Sequence, residues 1–160
     1  SNITQQNLGT GDGISSYYGP LTPTPPSIVA SGATWGAQNI MVYVENVYQI
    51  PGTNYTISQN PSITKTTTVA NNIGNTVITV PDVANIVAGQ TVDAGGAFAS
   101  GTTILSVNPI ANTFTVDQAL LVTINPSTVI TFTYPAGYYV HFTSVSIYNK
   151  PIMALHGFDQ

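Results

Sequence analysis

The sequence reads as an all-β protein, and two features of its composition and one of its patterning say so. Val, Ile and Thr supply 55 of the 160 residues while Leu supplies six. Side chains branched at Cβ are stiff at χ1 and pack well on a pleated surface. Charged residues make up 5%, with no arginine and two lysines, so the Glu-, Lys- and Leu-rich recipe of helical bundles and coiled coils is missing. Short apolar runs recur between Pro-, Gly- and Asn-bearing turns, the spacing of a small sandwich or barrel. An apolar content of 42% argues against intrinsic disorder. The expected architecture is a small antiparallel β-sandwich interrupted by a β-rich insertion and preceded by an extended N-terminal arm. The arm would span 1–35, the sandwich base 36–62 plus 130–160, and the insertion 63–129.

Each element has its own signal. Residues 1–38 lack sustained periodicity, and Gly19-Pro20-Leu21-Thr22-Pro23-Thr24-Pro25-Pro26 excludes a helix or a central strand. With Tyr17, Tyr18 and Trp35 on it, this stretch is expected to lie across a neighbouring subunit. Ile40, Val42 and Val44 alternate with Met41, Tyr43 and Glu45, a period of two. Val47–Ile50 is expected to continue that strand, turn at Pro51-Gly52-Thr53-Asn54 and return as Tyr55–Ser58, a hairpin. In the middle, strands are expected at Thr76–Val80, Thr102–Val107, Thr113–Val116 and Thr128–Thr133, with Phe114, Val116, Ile130 and Phe132 inward. Pro81–Ala88 fits a single helical turn with Asp82 near its start. Tyr134-Pro135-Ala136-Gly137 is a turn, Tyr138–Val145 alternates again with His141 outward, and Ile152–Leu155 forms a last run.

Charge and cysteine content exclude several functions. The net charge is −4 and the two lysines are far apart in sequence, so no basic patch exists to neutralise phosphates or meet an anionic bilayer. No stretch approaches the continuous apolar length of a membrane span. The first residues, Ser1-Asn2-Ile3-Thr4, have neither the basic nor the apolar region of a signal peptide. There is no cysteine, which favours folding in a reducing cytoplasm and removes disulfides and thiolate metal sites. So few charges on a Tyr-rich chain suit a surface largely covered by other subunits.

The chemical inventory is thin. No motif frames His141 or His156 with a nucleophile, so no catalytic residue is assigned. Asp12, Asp82, Asp93 and Asp117 form no calcium loop and read as solvated turn residues; no metal or cofactor is expected. Gly11-Asp12-Gly13 and Gly95-Gly96 read as turns. The nine tyrosines have three readings: core packing, interface anchoring, or a sugar-binding platform.

The segment Asn39-Ile40-Met41-Val42-Tyr43-Val44-Glu45-Asn46-Val47-Tyr48-Gln49-Ile50-Pro51-Gly52-Thr53-Asn54-Tyr55-Thr56-Ile57 resembles a module of tailed-bacteriophage virion proteins. In that module a strand ending in V-Y-Q or V-L-Q precedes P-G-x-x-Y-T-I. The module opens with a Gly-Asp-Gly turn, matched by Gly11-Asp12-Gly13. It closes with an apolar strand, P-x-G and a last strand, matched by Phe132, Pro135-Ala136-Gly137 and Tyr139-Val140-His141-Phe142. Here about 70 residues separate its two halves. Within them, Val87–Val92, Gly101–Val107 and Thr113–Val116 are similar to a Gly-Thr-Thr β module of phage structural proteins. The long Pro-rich stretch between Gly13 and Asn39 departs from the pattern. The resemblance implies a non-enzymatic virion structural protein, folded in the host cytoplasm before assembly. Capsid decoration, neck or tail, and fibre attachment are all open, and a host-receptor or glycan-binding module of a tail fibre is the alternative. Its partners would be further copies of itself and other virion proteins, with no nucleic acid, membrane or small-molecule substrate. The candidate interface residues are Tyr17, Tyr18, Trp35, Tyr43, Tyr48, Tyr138, Tyr139 and Phe158.

Overall fold

A computed structural model describes residues 3–25, 40–145 and 147–158. The described residues form thirteen strands and no helix, and every strand pair is antiparallel. The all-β class expected from the β-branched composition is the class observed. The chain divides into two compact units, Ser1–Asn60 with Ala136–Gln160, and Pro61–Pro135.

The first unit has two sheets. In one, β1 (Thr4–Thr10), β13 (Pro151–His156), β3 (Met41–Val44) and β4 (Val47–Tyr48) lie side by side in that order. In the other, β12 (Tyr138–Phe142) lies between β2 (Tyr17–Tyr18) and β5 (Tyr55–Gln59). Val42, Val44, Ile152 and Ala154 from the first sheet join Tyr55, Ile57, Tyr138, Val140 and Phe142 from the second in one buried cluster. This shared core makes the unit sandwich-like. Leu21, Ile40 and Ile147 complete it from connecting segments, and the Tyr55 hydroxyl donates to the Ile40 carbonyl.

Two expectations are corrected in this unit. The arm laid across a neighbouring subunit is the first. Over its described residues it is part of the unit's own fold: β1 pairs with β13 from Thr4 opposite His156 to Thr10 opposite Pro151, and Leu21 N–H donates to the Tyr138 carbonyl at 2.8 Å. An apolar Leu8 and a core Leu21 make intrachain burial available, which glycine and proline punctuation alone does not reveal. Residues 26–35, including Trp35, lie outside the described residues.

The second correction is the hairpin. Tyr43 pairs with Tyr48 and Val44 with Val47 across a two-residue turn in which Glu45 and Asn46 have φ of 50° and 65°, the left-handed pair of a type I′ hairpin. Pro51–Asn54 does turn, with Asn54 N–H donating to the Ile50 carbonyl at 2.8 Å and Gly52 at φ 78°. It carries the chain from β4 in one sheet to β5 in the other, and β5 pairs with β12. Five long-range register positions on β12 outweigh the local partner that proximity in sequence suggests.

The second unit also has two sheets. Strand β10 (Thr113–Val116) lies between β7 (Val77–Thr79) and β9 (Ile104–Asn108), and β11 (Val129–Thr133) between β6 (Ser62–Thr66) and β8 (Thr91–Asp93). Phe114 and Phe132 meet edge to face, centroids 5.2 Å apart, in a core shared with Ile78, Val116 and Ile130. The strands expected in this region appear with those side chains inward. Pro81–Ala88 is not helical. Asp82 Oδ1 accepts the Ala84 N–H at 3.1 Å and Ile86 N–H donates to the Val83 carbonyl at 3.0 Å, an irregular loop that buries Val83 and Ile86. Buried Asn71 substitutes for a strand residue, donating to the Thr79 carbonyl and accepting its N–H.

Candidate functional site

The Gly-Asp-Gly turn is structural. A Cβ on Gly11 would lie 1.9 Å from the Ile147 carbonyl oxygen, so only glycine permits that approach. Asp12 Oδ1 accepts the N–H groups of Ile14 and Ser15, and Oδ2 accepts the Ser15 hydroxyl at 2.8 Å. Burial alone would raise the Asp12 carboxyl. These donors and the Tyr18 hydroxyl outweigh it and hold the carboxyl below its ordinary range. Burial pushes the Tyr18 phenol up to about 12.

His156 is also internal. Its Nε2 lies 3.0 Å from Gln6 Oε1, and the Gln6 amide donates to the Pro20 carbonyl at 3.0 Å. Burial holds this imidazole below its ordinary value. The His141 ring lies parallel to Tyr17, centroids 3.9 Å apart, on the outer side of β12, and burial lowers it likewise. Among the described residues, no three His, Cys, Asp or Glu side chains come together as a metal site would require. Asp82 is ion-paired to Lys65 at 2.6 Å, and Asp117 Oδ1 accepts the Thr103 N–H.

The candidate interface residues other than Trp35, which lies outside the described residues, separate into two groups. Tyr17 and Tyr18 act within the unit: Tyr17 stacks on His141, and Tyr18 packs edge to face on Phe142 at 5.8 Å. Tyr138 and Tyr139 are 5% and 2% exposed; neither can anchor a partner or carry a sugar. Alternation along β12 misled here, because Tyr139 lies against Gly19, a cover contributed from far away in sequence. Tyr48 and Phe158 are exposed, at 48% and 42%, and Tyr43 is half-buried beside Tyr48.

Tyr43 and Tyr48 belong to a larger surface. On the outer side of the four-stranded sheet one row runs Asn7, Met153, Tyr43, Tyr48, and the next runs Gln5, Leu155, Met41. The tyrosine rings touch edge to face at 5.8 Å. Five large side chains, both methionines of the chain among them, thus form an uncharged face, with Tyr48 exposed and Met41, Tyr43, Met153 and Leu155 half-buried. Its surroundings are polar: Gln5 and Asn7 on β1, and the exposed Lys150–Glu45 pair at 3.8 Å. Apolar centre, polar rim, and enrichment in Tyr and Met are features of protein interfaces. Sequence reasoning missed Met41, Met153 and Leu155. The signal was present: Ile40–Val44 and Ile152–Leu155 are apolar at every position, which is how strands covered on both faces read.

Comparison of the chain with protein-family models, with curated proteins and with solved structures finds no match.

Proposed function

We propose that this protein is a non-enzymatic structural component of a tailed-bacteriophage virion, either a capsid decoration protein or a neck or tail component. The observation that carries the reading is the uncharged outer face of Met41, Tyr43, Tyr48, Met153 and Leu155. Covering it with a neighbouring subunit removes apolar area from water without exposing or stranding a charge. The resemblance of Asn39–Ile57 to a phage virion module supports the same reading and suggests the kind of partner. Two of the rings that the glycan-binding alternative could have used, Tyr138 and Tyr139, are interior.

Quantitative mass spectrometry of purified virions tests this. A copy number comparable to the major capsid protein indicates decoration, and a ring-sized number indicates the neck or tail. Absence from the particle rejects the virion assignment. Met153→Lys places a charge at the centre of the face while its outward position spares the core. Incorporation should fall on the order of tenfold, and undiminished incorporation would rule out this face as the contact.

A further inference from the structure

The two sheets of the first unit are joined by a side-chain junction built on a buried histidine. His156 is 1% exposed, stands opposite Thr4 of β1, and shares the inward face of β13 with Ile152 and Ala154. Its ring reaches Gln6, and Gln6 holds the segment 20–22. Gln6 Oε1 faces two nitrogens, His156 Nε2 at 3.0 Å and the Thr22 N–H at 2.9 Å, and the Gln6 amide donates to the Pro20 carbonyl at 3.0 Å. Between these contacts Leu21 is buried in the core and donates its N–H to the Tyr138 carbonyl of β12 at 2.8 Å. The segment is a strap tied to β1 by a side chain and to β12 by the backbone.

These contacts fix the proton on the ring. The Gln6 amide cannot be turned over, because the Pro20 carbonyl needs a donor and the Thr22 N–H an acceptor. An amide oxygen only accepts, so His156 Nε2 carries a hydrogen and the neutral ring is the Nε2–H tautomer. A second proton can enter only at Nδ1, and it brings a charge that no anion meets. Among the described residues, β1, β3 and the strap carry no charged side chain. The titratable groups that the second sheet packs against the core are the phenols of Tyr18, Tyr55 and Tyr138, while Tyr43 and His141 stand on the outer sides of their sheets. Asp12, Glu45 and Lys150 belong to the opposite end of β13, where Gly11 N–H donates to the Lys150 carbonyl and Glu45 N–H to the Pro151 carbonyl.

We infer that His156 is a proton-operated latch: neutral, it holds the 20–22 strap through Gln6, and protonated, it releases the strap and lets water reach the ring. The charged ring can still donate to Gln6, but an unpaired charge sealed in the core is costly, and opening one cover relieves that cost. The strap is the cover with the fewest ties. β1 is paired with β13 at six positions and β12 with β5 at five, whereas the strap is held by one backbone bond and two bonds from Gln6. Segments held so lightly open without unfolding the rest. Burial already favours the neutral ring, so the latch is shut at neutral pH and opens as pH falls below the ordinary histidine value of about 6.5. This device belongs to the first unit alone and is independent of the virion assignment.

Amide hydrogen exchange of the full chain, followed by NMR and corrected for the intrinsic pH dependence of exchange, reads the strap directly. Protection of the Leu21 and Thr22 amides should fall at least about tenfold between about pH 7.5 and about pH 5, while the amides of β12 and β13 keep theirs. Strap protection that holds while His156 titrates would overturn the inference, and so would a ring that stays neutral until the whole unit unfolds. His156→Gln keeps a donor for Gln6 and cannot be charged, so its strap should be equally protected at both pH values. His141→Gln removes the other histidine and should keep the full loss. A loss that persists in His156→Gln, or vanishes in His141→Gln, assigns the response to another group and rejects the latch. The unsubstituted chain decides the matter even where a variant does not fold.

Discussion

Gly11 and Asp12 show how far single residues are legible. Their Gly-Asp-Gly spacing is a turn in any reading, but the need for glycine at position 11 comes from the Ile147 carbonyl, which only tertiary structure brings there. The two histidines make a similar point and lead to a pH prediction. Both imidazoles are held below their ordinary value by burial, so they stay neutral in the fold at pH values where the free ring is charged. Above about 6.5 neither state binds the proton and stability is full. As pH falls below that, the unfolded chain takes up protons that the fold refuses, and stability declines until the lowered folded values are reached. Asp12 and Asp82, held below the ordinary carboxylate range, lose their contributions only at lower pH, beneath that range. The melting midpoint should therefore fall between about pH 7 and pH 5, and His156→Gln should flatten the fall. A midpoint flat over that interval would show that neither ring resists protonation.

Strands were more legible than their pairings. Alternation located β10 and β11 together with their inward Phe114, Val116, Ile130 and Phe132, because burial on one face leaves a period of two in the residues themselves. The type I′ turn at Glu45-Asn46 went unseen, since glutamate is a poor residue for positive φ and the Pro-Gly signal lay a few positions on. That turn carries its own prediction. Glu45→Asn combined with Asn46→Gly gives the hairpin residues suited to left-handed backbone. Relief of the strained glutamate should exceed the loss of its exposed ion pair with Lys150, a net gain of about 0.5 kcal/mol in denaturant unfolding. A net loss would show the ion pair to be the stronger term. In β1, Asn7 Oδ1 accepts the Gly9 N–H at 2.8 Å where the register slips. This bulge turns Leu8 toward the core, and a reading based on strict alternation passes over it.

At the scale of the whole molecule, the two units have separate cores, one spanning Leu21 to Ala154 and the other Ile78 to Phe132. The ends of the second unit meet within it, Ser62 opposite Thr133 and Tyr134 N–H donating to the Pro61 carbonyl at 3.1 Å. Excised residues 61–135 should therefore unfold in a single cooperative transition. A noncooperative melt would show that this core is insufficient by itself. The expected insertion of 63–129 and the observed unit Pro61–Pro135 differ by the residues that complete the β6–β11 pair. What the sequence by itself determined is the β class, the charge-poor surface and the inward residues of regular strands, because each is written in composition or local period. Only the tertiary structure decided which strands pair, which tyrosines lie inside, and that Met41, Met153 and Leu155 join Tyr43 and Tyr48 on one face. Those outcomes rest on contacts between residues far apart in the chain, where local pattern holds no record of the partner.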